Sequence, residues 1–456
     1  FYYEEIRLMN NSLQPEETTS IRKGMHTFLL IWLGQLFSIL GSGLSSFALG
    51  VWTYQQTGQA TPFALTVLFG NLPRLLMMPF AGSLADRWNR RVIMILADTG
   101  AALGTVALAF LIFFGNLQVW HIYIIVFFSS IFSAFQEPAY MASITMLVPK
   151  KDFARANGMI QTGQAIGSVI TPLLAGILFV TIGLRGIILI DLSTFFIAVT
   201  PLMIVRIPQP KLSDADDGQK KTAFKDFAIG WKFISSRGGL MGLLLYYAMV
   251  NFLLNFATVL IYPLILAVHS AAVLGTIQTV MGVGMLAGGI LMSAWGGPKT
   301  RRIPKVIGYI TLAVLGLVIA GWGSNPFFPG AGFFVLLFFI PIASGTSMAI
   351  WQSKVPAELQ GRVFSVRSVI SQCVVPLAYI ISGPLADLIF EPLMQEGGAL
   401  AHTFLGSLLG TGPGRGIGLM FVLAGLVAVV VSGFAYLNKN IREIETELPD
   451  MIEDGN

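Results

Sequence analysis

The chain has 456 residues, of which 55% are hydrophobic and only 11% charged, with a mean hydropathy of +0.75. Soluble domains carry roughly 25% charged residues, so a soluble fold could not cover its surface; a multi-pass membrane protein is the class that remains. A single cysteine, Cys373, excludes a disulfide scaffold, and with four histidines it makes a poor zinc set.

Residues 1–26 are polar, show no signal-peptide core and read as a cytoplasmic segment. Twelve apolar stretches of membrane-spanning length come next. They run near 27–54, 61–84, 92–114, 119–147, 157–181, 185–205, 240–268, 271–295, 304–323, 328–353, 362–390 and 415–437. They lack period-2 alternation, so all are expected to be helices. Residues 27–205 form a first six-helix half and 239–437 a second. Between them, 206–238 is a basic linker in which Phe224, Phe227, Ala228, Trp231 and Phe233 recur at helical spacing. That pattern predicts an amphipathic helix at the membrane surface. Ala399 to Leu409 could form a short helix in the long loop before span twelve, and 438–456 reads as an acidic, solvated tail.

Lys and Arg cluster in alternate loops, from Arg22 and Lys23 through Arg87, Lys150, the linker, Lys299 and Lys354. The opposite loops carry only Arg185 and Arg415. Both termini are therefore expected in the cytoplasm. The net charge of +5 is spent on this alternation, and no nucleic-acid partner is expected. The halves also repeat. Gly82–Trp88 aligns with Gly289–Trp295, and Val148-Pro149 with Arg155 aligns with Val355-Pro356 and Arg362, both at an offset of 207. Two parallel halves imply a transporter with its substrate site near the midplane.

The polar residues inside the spans carry the chemistry. On span one, Gln35, Ser38, Ser42 and Ser45 form one stripe, with Trp32 nearby. Arg74 lies midway along span two, where no topology rule needs it. The loop Gly82-Ser83-Leu84-Ala85-Asp86-Arg87-Trp88-Asn89-Arg90-Arg91 comes after it. Asp86 can cap a neighbouring helix, expected near Gly361-Arg362, while Arg87, Arg90 and Arg91 anchor at headgroups or pair with Asp86. Asp98 on span three is expected to pair with Arg155 or Arg367. Glu137 on span four is the deepest carboxyl, and a carboxyl at that depth can take up and release a proton; Arg74 is its expected partner. Gln161, Gln164 and Ser168 make a stripe on span five. Asp191 on span six is read as a local ion pair with Arg185. Tyr247, Asn251 and Asn255 make a stripe on span seven, and Trp351 lies on span ten. The stripes either face a watery cavity or join helices by hydrogen bonds.

The loop 82–91 resembles the G-x-L-A-D-R-x-G-R-R signature of the major facilitator superfamily. Asn89 replaces the usual Gly, a residue that also tolerates a left-handed turn. Pro73-Arg74 and the segment from Glu137-Pro138-Ala139 to Val148-Pro149 are similar to the macrolide-efflux and enterobactin-exporter branch of drug/proton antiporters. The resemblance implies an all-α fold of twelve transmembrane helices in two six-helix halves. It implies a monomer in the bacterial inner membrane, exporting an amphipathic small molecule by alternating access against a proton gradient. No cofactor is expected beyond that gradient, and membrane lipids are the surrounding partners. Glu137, Arg74 and Asp98 are then candidates for proton coupling. Gly82, Asp86, Arg87, Arg90, Arg91, Arg155 and Arg362 are candidates for gating. Gln35, Ser38, Ser42, Gln161, Gln164, Tyr247, Asn251, Asn255 and Trp351 are candidates for the substrate cavity. A lipid flippase of the same fold and a transport-inactive scaffold are the alternatives. No Walker loop, H-E-x-x-H or G-x-S-x-G occurs, so ATP drive and membrane hydrolysis have no support.

Overall fold

The computed structural model of the protein describes residues 14–149, 152–205 and 222–447. These residues are helical, with no strand among them. The helices are α1 (Gln14–Thr57), α2 (Ala60–Arg87), α3 (Arg90–Phe113), α4 (Val119–Leu147), α5 (Phe153–Thr181) and α6 (Gly183–Ile204). The linker helix α7 (Thr222–Ser235) comes next. The second half contains α8 (Gly238–Leu266), α9 (Ala271–Trp295), α10 (Arg302–Gly321), α11 (Phe327–Lys354), α12 (Gln360–Met394) and α13 (Arg415–Leu437). Among the described residues, eleven helices are long and apolar enough to cross a membrane. The remaining long helix is α2, with 28 residues.

Local chemistry sets the helix ends. Asn89 precedes α3 with extended backbone (φ −63°, ψ 111°), and its side chain accepts from the amides of Arg91 and Val92. It is a helix cap, not the left-handed turn residue expected from the Gly it replaces. Gly296 ends α9 with φ +75°, a conformation that suits glycine. In α12 the regular helix gives way at Ala386–Phe390 to a wider turn.

The chain divides into two compact units. One contains residues 1–49 and 69–212, the other 50–68 and 213–456. In the first, Phe28, Met94, Ala139, Ile160 and Leu202 form a buried apolar cluster joining α1, α3, α4, α5 and α6. Helix α1 lies close on α6: a Cβ added at Gly41 would stand 2.0 Å from Thr194 Oγ1.

In the second unit α10 crosses α11 at bare backbone, where Gly316 faces Gly332. Linker helix α7 docks on α12. A Cβ at Gly230 would meet Arg362 O at 2.6 Å, and Asp226 pairs with Arg362 at 2.7 Å. Phe233 and Ile234 are buried, whereas Ile229 and Trp231 stay exposed. The amphipathic helix therefore rests partly on protein. The expectation of a solvated tail fails at Ile441 and Ile444, both buried; Glu445 accepts from the amide of Ile303, and its carbonyl accepts from Lys354. The helix in the loop before α13 is shorter than expected, covering only Phe404–Leu409.

The wide turn in α12 places Asp387 at the first turn of α2. Its carboxylate accepts from the amides of Ala60 (2.8 Å) and Thr61 (2.7 Å) and from Thr61 Oγ1 (2.5 Å). One turn on, Glu391 accepts from the amides of Gly414 and Ile417 and so caps α13. A carboxylate on orphan amides at a positive helix end is a favourable cap. Asp387→Ala should cost about 1 kcal/mol of cap. Amide exchange across the first turn of α2 should speed up several-fold; unchanged exchange at Ala60 and Thr61 would show that the cap holds nothing.

Candidate substrate and coupling sites

In the first unit, three helices bring polar groups around Asp98 of α3. Asp98 is 6% exposed. Gln136 Nε2 of α4 donates to Asp98 Oδ1 at 2.7 Å and to Gln35 Oε1 at 2.9 Å. Gln35 Nε2 of α1 donates to Asp98 Oδ2 at 3.4 Å. Among the described residues, no cation lies within ion-pair distance of Asp98. Of the expected partners, Arg155 is exposed on α5 and Arg367 belongs to the second unit. The close neighbours of Asp98 are neutral amides.

A second carboxyl of this unit is paired. Arg74 Nη2 meets Glu137 Oε2 at 2.6 Å, with both side chains about half exposed. Ser130 supports that register by accepting from the Arg74 amide and donating to Gly70 O. A third carboxyl, Asp191 of α6, is 8% exposed. It accepts from Ser42 Oγ at 3.5 Å and Thr105 Oγ1 at 3.2 Å. The expected ion pair with Arg185 does not form. Arg185 instead reaches Ile112 O and the Phe113 ring.

Two of the loop arginines hold backbone carbonyls. Arg90 is largely buried and donates to Ala142 O of α4 at 2.6 Å. Arg91 donates through Nε to Leu202 O at 2.6 Å and through Nη2 to Met203 O. It thus satisfies the open carbonyls at the end of α6, where a cation is favoured. Neither of these contacts is a headgroup anchor. Arg362 pairs with Asp226 of the linker helix. The side chains of Gly82, Asp86 and Arg87, and with them the expected Asp86 cap on α12, lie outside the described residues.

The second unit holds a cavity of about 370 Å³. Tyr247 and Asn251 of α8, Ser344 of α11, and Arg367, Ser371 and Gln372 of α12 supply its polar wall. Two of the expected cavity residues are therefore here. Asn255 lies one turn further along α8, donating to Asn251 O and accepting from Tyr379 Oη. Trp351 is fully buried and is not among the lining residues of this cavity; its ring centroid stands 5.4 Å from the Arg367 guanidinium. In the first unit Gln35 is engaged by Asp98 and Gln136, Ser42 by Asp191, Ser38 is half-buried, and Gln161 and Gln164 are exposed.

Sequence reasoning misses Gln136. Gln136 stands beside Glu137 in an otherwise apolar run, and a second polar residue at that depth is the available signal.

The comparisons agree with this architecture. The sequence profile of the Major Facilitator Superfamily matches residues 31–379. Macrolide efflux protein A of Streptococcus pyogenes is 30% identical over 372 residues, covering 79% of this chain and 90% of that protein. Multidrug efflux pump Tap of Mycolicibacterium fortuitum is 22% identical, covering 81% and 91%. Among solved structures, a bacterial homologue of the human lysosomal transporter Spinster, inward-facing and unoccupied, superposes with a TM-score of 0.68 at 16% identity, covering 93% and 98%. The fold and family are those of transporters and not of enzymes. With eleven helices of membrane-spanning length among the described residues and a profile match over most of its length, the chain belongs to the Major Facilitator Superfamily.

Proposed function

We propose that this multi-pass transporter exports an amphipathic small molecule in exchange for protons, by alternating access, from the cytoplasm of a bacterial cell. Asp98 is the proton carrier in this reading, with the Arg74–Glu137 pair positioning α2 against α4. The observation that carries it is a carboxyl buried on three helices with neutral amides as its close partners. An isolated buried charge is costly, and protonation is the chemistry by which such a group changes charge without a cation partner. The efflux relatives support the direction of transport. The alternation of arginine- and lysine-rich loops supports an orientation in the inner membrane with both termini on the cytoplasmic side. No cofactor other than the proton gradient takes part, and the unit of transport is the monomer.

The test is reconstitution of the purified protein in proteoliposomes with a radiolabelled macrolide as probe. An imposed proton gradient should drive accumulation of the probe against its own gradient, and a protonophore should abolish it. Accumulation that ignores the proton gradient would refute the coupling.

A further inference from the structure

The cavity of the second unit is charged in one sense only. Arg367 lines it, and no Asp or Glu does. Among the described residues, no carboxylate lies within ion-pair distance of this arginine. Its contacts are the Met348 sulfur at 3.4 Å from Nη1, the Tyr247 ring at 5.9 Å and the Trp351 ring at 5.4 Å. Aromatic rings fix a guanidinium by cation–π attraction but leave its N–H edge open. A guanidinium has five donors and stays protonated in proteins; one weak bond to sulfur leaves most of them available. Arg367 lies about 10 Å into α12, at a depth where an uncompensated charge is costly and marks a functional site.

The rest of the wall is divided. Asn251, Ser344, Ser371 and Gln372 supply neutral polar groups near the arginine, while Leu254 and Ile340 are among the apolar lining residues. A cavity of about 370 Å³ is at the small end of drug-binding pockets. The matching ligand has a compact apolar body and one anionic head, and a carboxylate suits the planar fork best.

We propose that Arg367 receives the anionic group of the transported molecule, so that the favoured substrates are amphipathic acids and not amphipathic cations. The proposal rests on the transport reading for every step after binding, and its test is therefore equilibrium binding alone.

The protein is purified into nanodiscs of phosphatidylcholine. Binding of naphthalene-2-carboxylate is compared with naphthalene-2-carboxamide and with 2-naphthylmethylammonium by calorimetry. The parent should bind the carboxylate on the order of tenfold more tightly than the carboxamide, about 1.4 kcal/mol. The ammonium should bind no better than the carboxamide. Arg367→Gln should lose the preference while keeping its carboxamide affinity, which also reports that the cavity is intact. Arg367→Lys, a point charge without the fork, should keep a reduced preference and serves if the Gln variant does not fold. Equal binding of all three probes to the parent, or an unchanged preference in Arg367→Gln, would overturn the proposal. Loss of carboxylate binding when phosphatidylglycerol enters the nanodisc would assign the arginine to a lipid headgroup and overturn it too. Failure of proton-driven macrolide accumulation would leave this binding result standing, and the reverse also holds.

Discussion

Asp98→Asn should reduce proton-driven accumulation of substrate on the order of tenfold or more, while equilibrium binding of the probe stays within a factor of two or so of the parent. The substitution keeps the shape and volume of the side chain. It retains one acceptor oxygen for the Gln136 amide, which now stands 2.7 Å from Asp98 Oδ1. What it removes is the capacity to take up and release a proton. Downhill exchange of the probe should survive, because that step needs no proton. Glu137→Gln should behave differently. It strips Arg74 of a partner at 2.6 Å and leaves a guanidinium without its carboxylate. Transport should fall in part, and the double variant Arg74→Gln, Glu137→Gln should recover some of it, because removing both partners is milder than orphaning one. Uphill accumulation by Asp98→Asn equal to the parent would remove Asp98 from the pathway. If Glu137→Gln then loses uphill transport and keeps downhill exchange, the carrier is Glu137.

The spans were legible because each is a one-dimensional property: a length of apolar residues between breaks. The start of α4 at Val119 and the end of α9 at Trp295 fall where composition changes. The repeat at an offset of 207 was legible for the same reason. Partners across helices were not, because they depend on the rotation of each helix about its axis. Asp191 and Arg185 were close in sequence, yet six residues on a helix turn the side chain to another face; neighbours come at three and four. Asp191 instead met Ser42, 149 residues away. Arg91 carried a topology signal and a structural bond at once, and composition could report only the first. The charge of Arg367 was visible in the sequence. That its surroundings are rings and a thioether, with no acid, needed three helices placed in space.

Gly332→Ala should destabilise the second unit by roughly 1–3 kcal/mol, and Gly332→Leu should prevent its folding. A Cβ at Gly332 would stand 2.3 Å from Gly316 O, 2.5 Å from Ala320 N and 2.8 Å from Ala320 Cβ. A Cβ at Gly316 would in turn meet Gly332 O at 2.3 Å and Leu336 N at 2.9 Å. The near atoms are mostly backbone, so no flexible side chain can swing aside. Close approach through small residues is how membrane helices gain packing without a hydrophobic drive between them. Alanine favours helix over glycine by about 1 kcal/mol, which opposes the clash but is smaller than it. Gly330→Ala is the control. It lies two positions earlier on α11, and a Cβ there meets nothing within 4 Å. Thermal unfolding of the purified protein in detergent should show a lower Tm for Gly332→Ala and no loss for Gly330→Ala. Gly316→Ala should cost about as much as Gly332→Ala. The two together should cost less than their sum, because the first methyl forces α10 and α11 apart and the second enters the space already opened. Equal melting of Gly332→Ala and Gly330→Ala would show that the crossing tolerates a wider spacing, and that α10 and α11 are not held by backbone contact.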